Sequence, residues 1–219
     1  MKTGILCEHS IKKQDEIIGG SKRVNLKGDA LLQGLTTFTI IIFIVHLDQT
    51  ILILFSLAAI MRLASLVKSA ANEKKLKRRN AIEYGSKNSK RLVFCHTIFY
   101  ISCICEAILL NKHIKSISFW GFGLFIFSMI MLWIVILSLK KMWTVKLIIS
   151  PAQQINKSFL FKYFRHPNYF LNIIPELISI ALICQAWFTL VIGLPLYCIP
   201  LCVRIVQEEK LMKTHFSNY

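Results

Sequence analysis

No two cysteines in this chain form a CxxC pair. The seven fall at positions 7, 95, 103, 105, 184, 198 and 202, six of them inside apolar runs where a thiol behaves as a small hydrophobe. Neither a zinc site nor a disulfide framework is expected. No GxGxxG follows a strand and no Walker pattern occurs, so a soluble-type nucleotide fold is absent. Residues 1–30 hold no short apolar core with a small-residue cleavage site, so no removable signal peptide is expected and the first spanning helix should serve as an uncleaved anchor. Acidic side chains are scarce, 11 against 27 Lys and Arg.

Apolar residues, by contrast, are abundant and blocked. They make up 55% of the chain, with mean hydropathy +0.56, far above a soluble domain. The chain reads as an all-α integral membrane protein, a polytopic helical bundle of four spans plus a C-terminal helical hairpin. About twenty helical residues cross the hydrocarbon layer. Blocks of that order place spans at about 31–47, 51–67, 92–110 and 117–139. The block 170–203 is too long for one ordinary span and carries Pro175, Gln185, Pro195 and Pro200, so it reads as helices 170–184 and 187–203 hinged near Gln185 and Ala186. Residues 1–30 form a basic arm, expected to be mobile near anionic lipid, and 31–219 one membrane domain. A cytosolic loop is expected at 140–169 and a C-terminal helix at 204–219.

The net charge of +16 could mean nucleic acid, but its distribution points to a membrane. Lys68 to Arg91 contains nine Lys and Arg, the head before residue 31 six, the loop 140–169 six and the tail after Val203 three, whereas the opposite turns hold only Lys112 and Lys115. If every basic segment faces the cytosol, the spans close with the correct parity and both termini are cytosolic. Membrane lipids are thus partners, and nucleic acid is not.

The loop before the last hairpin ends in FRHPNYF, residues 164–170. Trp143, Phe161, Tyr163, Phe164 and Tyr169 would suit an interfacial belt. Arg165, His166, Pro167 and Asn168 add more directed donors than a belt needs. Pro167 biases His166 away from helical geometry, so the cluster should form a fixed turn at a helix start. Past the hairpin, Arg204 and Glu208 fall at i and i+4 on one helix face, with Glu209 beside them. Folding the hairpin back makes these two clusters neighbours, a cationic and an anionic wall suited to a zwitterionic ligand. Glu106 and Glu176 should face the bundle interior, since lipid exposure is costly. Glu106 and His96 read as structural, whereas Glu176 lies near enough to the turn to touch substrate. Gly121 and Gly123 read as helix-packing notches.

Trp143–Thr144, a following Pro, RHPNY at 165–169, and a hairpin closing on Arg204, Glu208, Glu209 and Leu211 together resemble the isoprenylcysteine carboxyl methyltransferase family of membrane enzymes. Upstream, RLASLVKSAANEKKLKRRNAIEYG followed by CHTIFY resembles a bacterial branch with lipidic alkylpyrone and alkylresorcinol O-methyltransferases, extending the likeness to about Met61. The resemblance implies S-adenosyl-L-methionine bound outside any Rossmann fold, with the lipid acceptor entering from the bilayer. It implies that Gln153, Gln154, Ile155, Asn156, Phe161, His166, Asn168 and Tyr169 line the cofactor, with Glu208 touching it, and that Arg204 faces the substrate. Arg165, Pro167 and Glu209 complete the two walls. The sequence departs from the family pattern in having Leu171 where many relatives carry Gly, Gln153 where they carry His, and Phe161 where Tyr is frequent.

The expected activity is therefore methylation of an oxygen on a lipophilic acceptor, either an isoprenylcysteine carboxylate or an alkylpyrone or phenol hydroxyl. An acidic hydroxyl, unlike a carboxylate, must lose a proton, and His166 could take it. Two other readings remain. A nicotinamide-dependent sterol-type reductase would share an RHPNY-like motif, although the tail here reads Glu-Glu-Lys-Leu. A small transporter would use Glu106, Glu176 and His96 as pathway groups.

Overall fold

The computed structural model describes residues 48–150, 159–163 and 165–215, with Phe159 and Lys162 described by backbone only. The expected span at 31–47, the basic arm and Gln153, Gln154, Ile155 and Asn156 lie outside the described residues. Helices dominate: α1 (Gln49–Lys77), α2 (Ser86–Leu109), α3 (Ser116–Leu139), the short α4 (Phe159–Tyr163), α5 (Asn168–Cys184) and α6 (Thr189–His215). Four of them, α1, α2, α3 and α6, are long and apolar enough to cross a membrane, and α5 is a shorter apolar helix. The chain is a multi-pass, all-helical membrane protein.

α1 continues well past the apolar block that ends at Val67. Ala70, Ala71, Glu73, Lys74, Lys75 and Leu76 are strong helix formers, and Ser69, Asn72 and Leu76 on one face are buried. α1 begins at Asp48, whose carboxylate accepts from the Thr50 N–H at 2.8 Å. Its other oxygen accepts from the Ile114 N–H at 3.1 Å. These backbone donors, Ile114 first and Thr50 with it, outweigh burial and lower the pKa of Asp48. This contact ties the start of α1 to the α2–α3 turn.

The last apolar block folds back at Gln185, which takes a left-handed conformation with φ 52°, and its side-chain amide donates to the His113 carbonyl. α5 opens with a π-helical stretch, Asn168–Ile173, and α6 with another, Thr189–Gly193. Each ends two residues before a proline, Pro175 or Pro195. A proline lacks the N–H and its ring presses on the carbonyl four residues back; one extra residue in the turn relieves both, and the Ile174 N–H bonds the Tyr169 carbonyl five residues back.

α3 packs along α5, with Gly121 at the crossing. A Cβ there would lie 2.8 Å from Leu182 Cβ and 2.9 Å from the Ile183 backbone nitrogen, so only glycine permits this approach. Gly123 faces open space and is not a notch. Glu106 accepts from the N–H groups of Phe188 and Thr189 at 3.0 and 2.8 Å and from the Thr189 hydroxyl. It thus neutralises the exposed donors at the start of α6 from a neighbouring helix.

A two-stranded antiparallel clip, β1 (Ile82–Tyr84) with β2 (Leu147–Ile149), pairs Ile82 with Ile149 and Tyr84 with Leu147. It fastens the segment after α3 to the α1–α2 turn. Glu83 forms ion pairs with Lys77 and Lys146; these cations outweigh its burial and lower its pKa.

Candidate active site

The site is assembled at the end of the bundle where β1–β2 lies. The segment after α3 is laid down by α1: Asn72 donates to the carbonyls of Lys140 and Trp143, and Ser69 Oγ accepts from the Val145 N–H at 2.9 Å. Trp143 is buried as a result, and backbone groups that a loop would expose to lipid are satisfied.

Against this segment stands Arg204 of α6, 4% exposed. Its guanidinium donates to Ser89 Oγ at 2.8 Å and the Val145 carbonyl at 3.0 Å, and its Nε to the Tyr169 hydroxyl at 3.3 Å. Arg204 therefore joins α2, the segment after α3, α5 and α6. Three of its five N–H groups are thus held by the protein. Asn88 adds a second tie by donating to the Pro200 carbonyl. Gly85, at φ 59°, lets α6 come close: a Cβ there would meet Gln207 Oε1 at 2.5 Å.

The Tyr169 hydroxyl in turn donates a hydrogen bond to Glu208 Oε2 at 2.7 Å. His166 sits between the two acids, with Nδ1 3.7 Å from Glu208 Oε2 and Nε2 3.4 Å from Glu209 Oε1, and its ring stacks on Tyr169. The Glu208 carboxylate, with Glu209 adding to it, raises the pKa of His166 against the opposing effect of burial. Two carboxylates of α6 thus face the imidazole. Nδ1 is buried and makes no hydrogen bond. Arg165 is exposed, its guanidinium 4.0 Å from Glu209.

These groups edge a cavity of about 870 Å³. Phe161, Arg165, His166, Pro167, Asn168, Tyr169, Arg204 and Glu208 all line it. Glu209 stands behind His166. Glu176 is wholly buried and lies behind the wall rather than on it: Arg62 pairs with it at 3.1 Å and the Tyr100 hydroxyl donates to it at 2.7 Å. Glu176, expected to touch substrate, does not line the cavity, whereas its neighbours Arg62, His96 and Tyr100 do. Sequence reasoning passed over Arg62, although a lone cation within an apolar block is itself a signal.

The profile of the isoprenylcysteine carboxyl methyltransferase family matches residues 121–214, the stretch that contains every site residue described from Trp143 to Glu209. An uncharacterized protein of Haemophilus influenzae is 49% identical over 166 residues, 76% of this chain and 96% of that protein. The chain belongs to the isoprenylcysteine carboxyl methyltransferase family. The uncharacterized protein YpbQ of Bacillus subtilis is 30% identical over 165 residues, 74% of this chain and 96% of that protein. No solved structure matches the chain significantly. Membership in this family makes a membrane methyltransferase the broad activity.

Proposed function

We propose that the chain transfers a methyl group from S-adenosyl-L-methionine to an oxygen of a lipophilic acceptor at the cytosolic face of the membrane. The observation that carries this reading is the meeting of Tyr169, His166 and Glu208 on the wall of one cavity. Its volume lies in the range of small-molecule sites.

The residues present fit such a donor. S-adenosyl-L-methionine supplies an electrophilic methyl group on a cationic sulfonium and carries a zwitterionic amino-acid end. The carboxylate of Glu208 can face positive charge, and His166, which lines the cavity beside it, can donate to a carboxylate. Arg165 at the rim adds a second cation. Phe161 and Asn168 offer a flat face and an amide, as an adenine ring requires. Gln153, Gln154, Ile155 and Asn156 are proposed as further donor-binding residues, as the family resemblance implies.

Within this scheme Arg204 is a positioning residue: it orients Tyr169, which orients Glu208. His166 holds a proton at the mouth. Displacement at methyl carbon needs alignment more than acid or base power at the donor end, and the buried aromatic wall of Trp143 and Tyr169 favours exclusion of water from a reaction in which opposite charges merge. The acceptor reaches the cavity from the bilayer through the apolar positions Leu63, Leu66 and Val93 on its wall.

Purified protein in nanodiscs should bind S-adenosylhomocysteine in calorimetry. The Glu208→Gln variant should stay folded, with its helix content kept, and lose most of that binding. Equal binding by both proteins would remove Glu208 from the site.

A further inference from the structure

The polar groups around the cavity fall into two layers. Four helices each give one residue to each layer, always seven positions apart: Ser69 and Arg62 on α1, Ser89 and His96 on α2, Tyr169 and Glu176 on α5, Arg204 and Tyr197 on α6. Seven residues are two helical turns, so the layers stand about 10 Å apart. The outer layer is the network around Arg204 and Val145. In the inner layer Arg62 pairs with Glu176 at 3.1 Å and the Tyr100 hydroxyl donates to Glu176 at 2.7 Å. The His96 ring, its nitrogens buried, stands between Tyr100 at 5.1 Å and Tyr197 at 5.8 Å.

The cavity spans both layers. Ser89, Tyr169 and Arg204 line it at the outer level and Arg62, Tyr100 and Tyr197 at the inner one, with Leu66, Leu92, Val93 and Ile173 between. Its wall is therefore polar, apolar and polar in turn. Arg62 keeps 17% of its side-chain surface open, and beyond Glu176 its N–H groups have no partner among the described residues. The Tyr197 hydroxyl has none either. A cation with idle donors inside a membrane span is left unsatisfied by a plain hydrocarbon tail, and a site built to hydrogen-bond rejects an analogue that lacks the partner. Charge and donor count then set what the partner is. Arg62 and Glu176 cancel, so an anion would leave uncompensated charge in a low-dielectric site. Arg62 offers only donors, so it calls for a neutral acceptor oxygen.

We propose that the lipid acceptor is held at two points: besides the oxygen that is methylated at the outer layer, it carries a neutral carbonyl oxygen about 10 Å along its chain, bound by Arg62 and Tyr197. The inference rests on the methyltransferase reading and adds a demand on the acceptor's tail rather than on its reacting head. The two lone pairs of one carbonyl oxygen accept from the Arg62 guanidinium and the Tyr197 hydroxyl together. Glu176 holds Arg62 in place from behind the wall. The apolar positions between the layers cover the stretch of chain that joins the two oxygens. A saturated tail of the same length would strip water from Arg62 and return no hydrogen bond, so the inner layer selects against it.

The test is binding, without any methyl donor, of 9-oxotetradecan-1-ol, 4-oxotetradecan-1-ol and tetradecan-1-ol to the protein in nanodiscs, corrected for empty nanodiscs. Extended, the first carries its two oxygens at the layer spacing, and the second carries them too close together. Wild-type protein should bind the 9-oxo alcohol about tenfold more tightly than tetradecan-1-ol, the worth of one buried hydrogen bond to a charged group. The 4-oxo isomer should bind no more tightly than tetradecan-1-ol. The double variant Arg62→Met, Glu176→Leu removes both charges so that neither is left buried alone, and should bind all three alike. Equal wild-type affinity for the 9-oxo alcohol and tetradecan-1-ol, a preference shared by the 4-oxo isomer, or a preference kept in the folded double variant overturns the proposal. The wild-type comparison decides even if the variant fails to fold. S-adenosylhomocysteine binding is measured separately: its failure sinks the methyltransferase reading while the inner contact stands, and loss of the 9-oxo preference with that binding intact sinks the inner contact alone.

Discussion

Tyr169 and Glu208 stand on opposite arms of the final hairpin, and the tyrosine hydroxyl donates to the carboxylate at 2.7 Å. This contact exists because the chain reverses at Gln185, and it converts two separate sequence clusters into one site. Tyr169 also accepts from Arg204, so its hydroxyl is the hinge pin between the brace and the acid.

Replacing Tyr169 by Phe removes that hydroxyl while keeping the ring. Arg204 and Glu208 each lose one partner, and an unsatisfied group of this kind costs about 1–3 kcal/mol. The expected result is a lower melting temperature together with weaker S-adenosylhomocysteine binding in calorimetry. A variant identical to wild type in both would detach Tyr169 from the site.

Glu208→Gln keeps size and removes charge. A hydrogen bond to a charged group contributes about 1.5–3 kcal/mol, so affinity for S-adenosylhomocysteine should fall by roughly 10- to 150-fold. Equilibrium dialysis measures this directly, and circular dichroism checks that helix content is kept.

The raised pKa of His166 gives stability a defined pH dependence. The folded value lies above the unfolded one of about 6.5. The stabilisation is therefore complete below the unfolded pKa and is lost as pH rises through the folded pKa. Melting temperature should decline as pH is raised from about 6 through that window, and His166→Gln should flatten this part of the curve. An unchanged slope in His166→Gln would assign the dependence to another group.

Gly121 and Gly123 provide a paired test of packing. A side chain at Gly121 presses on the Ile183 backbone, whereas Gly123 meets nothing within 4 Å. Gly121→Val should destabilise by about 1–3 kcal/mol, the usual cost of overpacking, and Gly123→Val should leave the melting temperature close to wild type.

Much of this was legible in the sequence, for identifiable reasons. Apolar blocks announce spans because the bilayer demands length and backbone satisfaction. The hairpin was legible because Gln185 interrupts a block too long for one crossing. RHPNY and the Glu208–Glu209 pair stood out because dense polar chemistry at a membrane boundary has few alternative uses. What escaped depends on pairings far apart in the chain. Nothing local says that Arg204 bonds Ser89 and Val145, or that Arg62 and Glu176 pair with each other. The meeting of His166 with Glu208 and Glu209 was legible from the fold-back, but not which ring nitrogen faces which acid. The β1–β2 clip was invisible because three-residue strands carry too few alternations to register, and α1 outran its apolar block because a helix may leave the membrane without ending.

The central claim is that one cavity brings a methyl donor to a lipid oxygen. Membranes containing the wild-type protein or Glu208→Gln should be incubated with S-adenosylmethionine bearing a deuterated methyl, and the extracted lipids weighed by mass spectrometry. The account predicts a lipid-soluble product carrying the deuterated methyl on oxygen with the wild-type protein and its loss in Glu208→Gln. Equal labelling by both proteins, or label found only on water-soluble products, would contradict it.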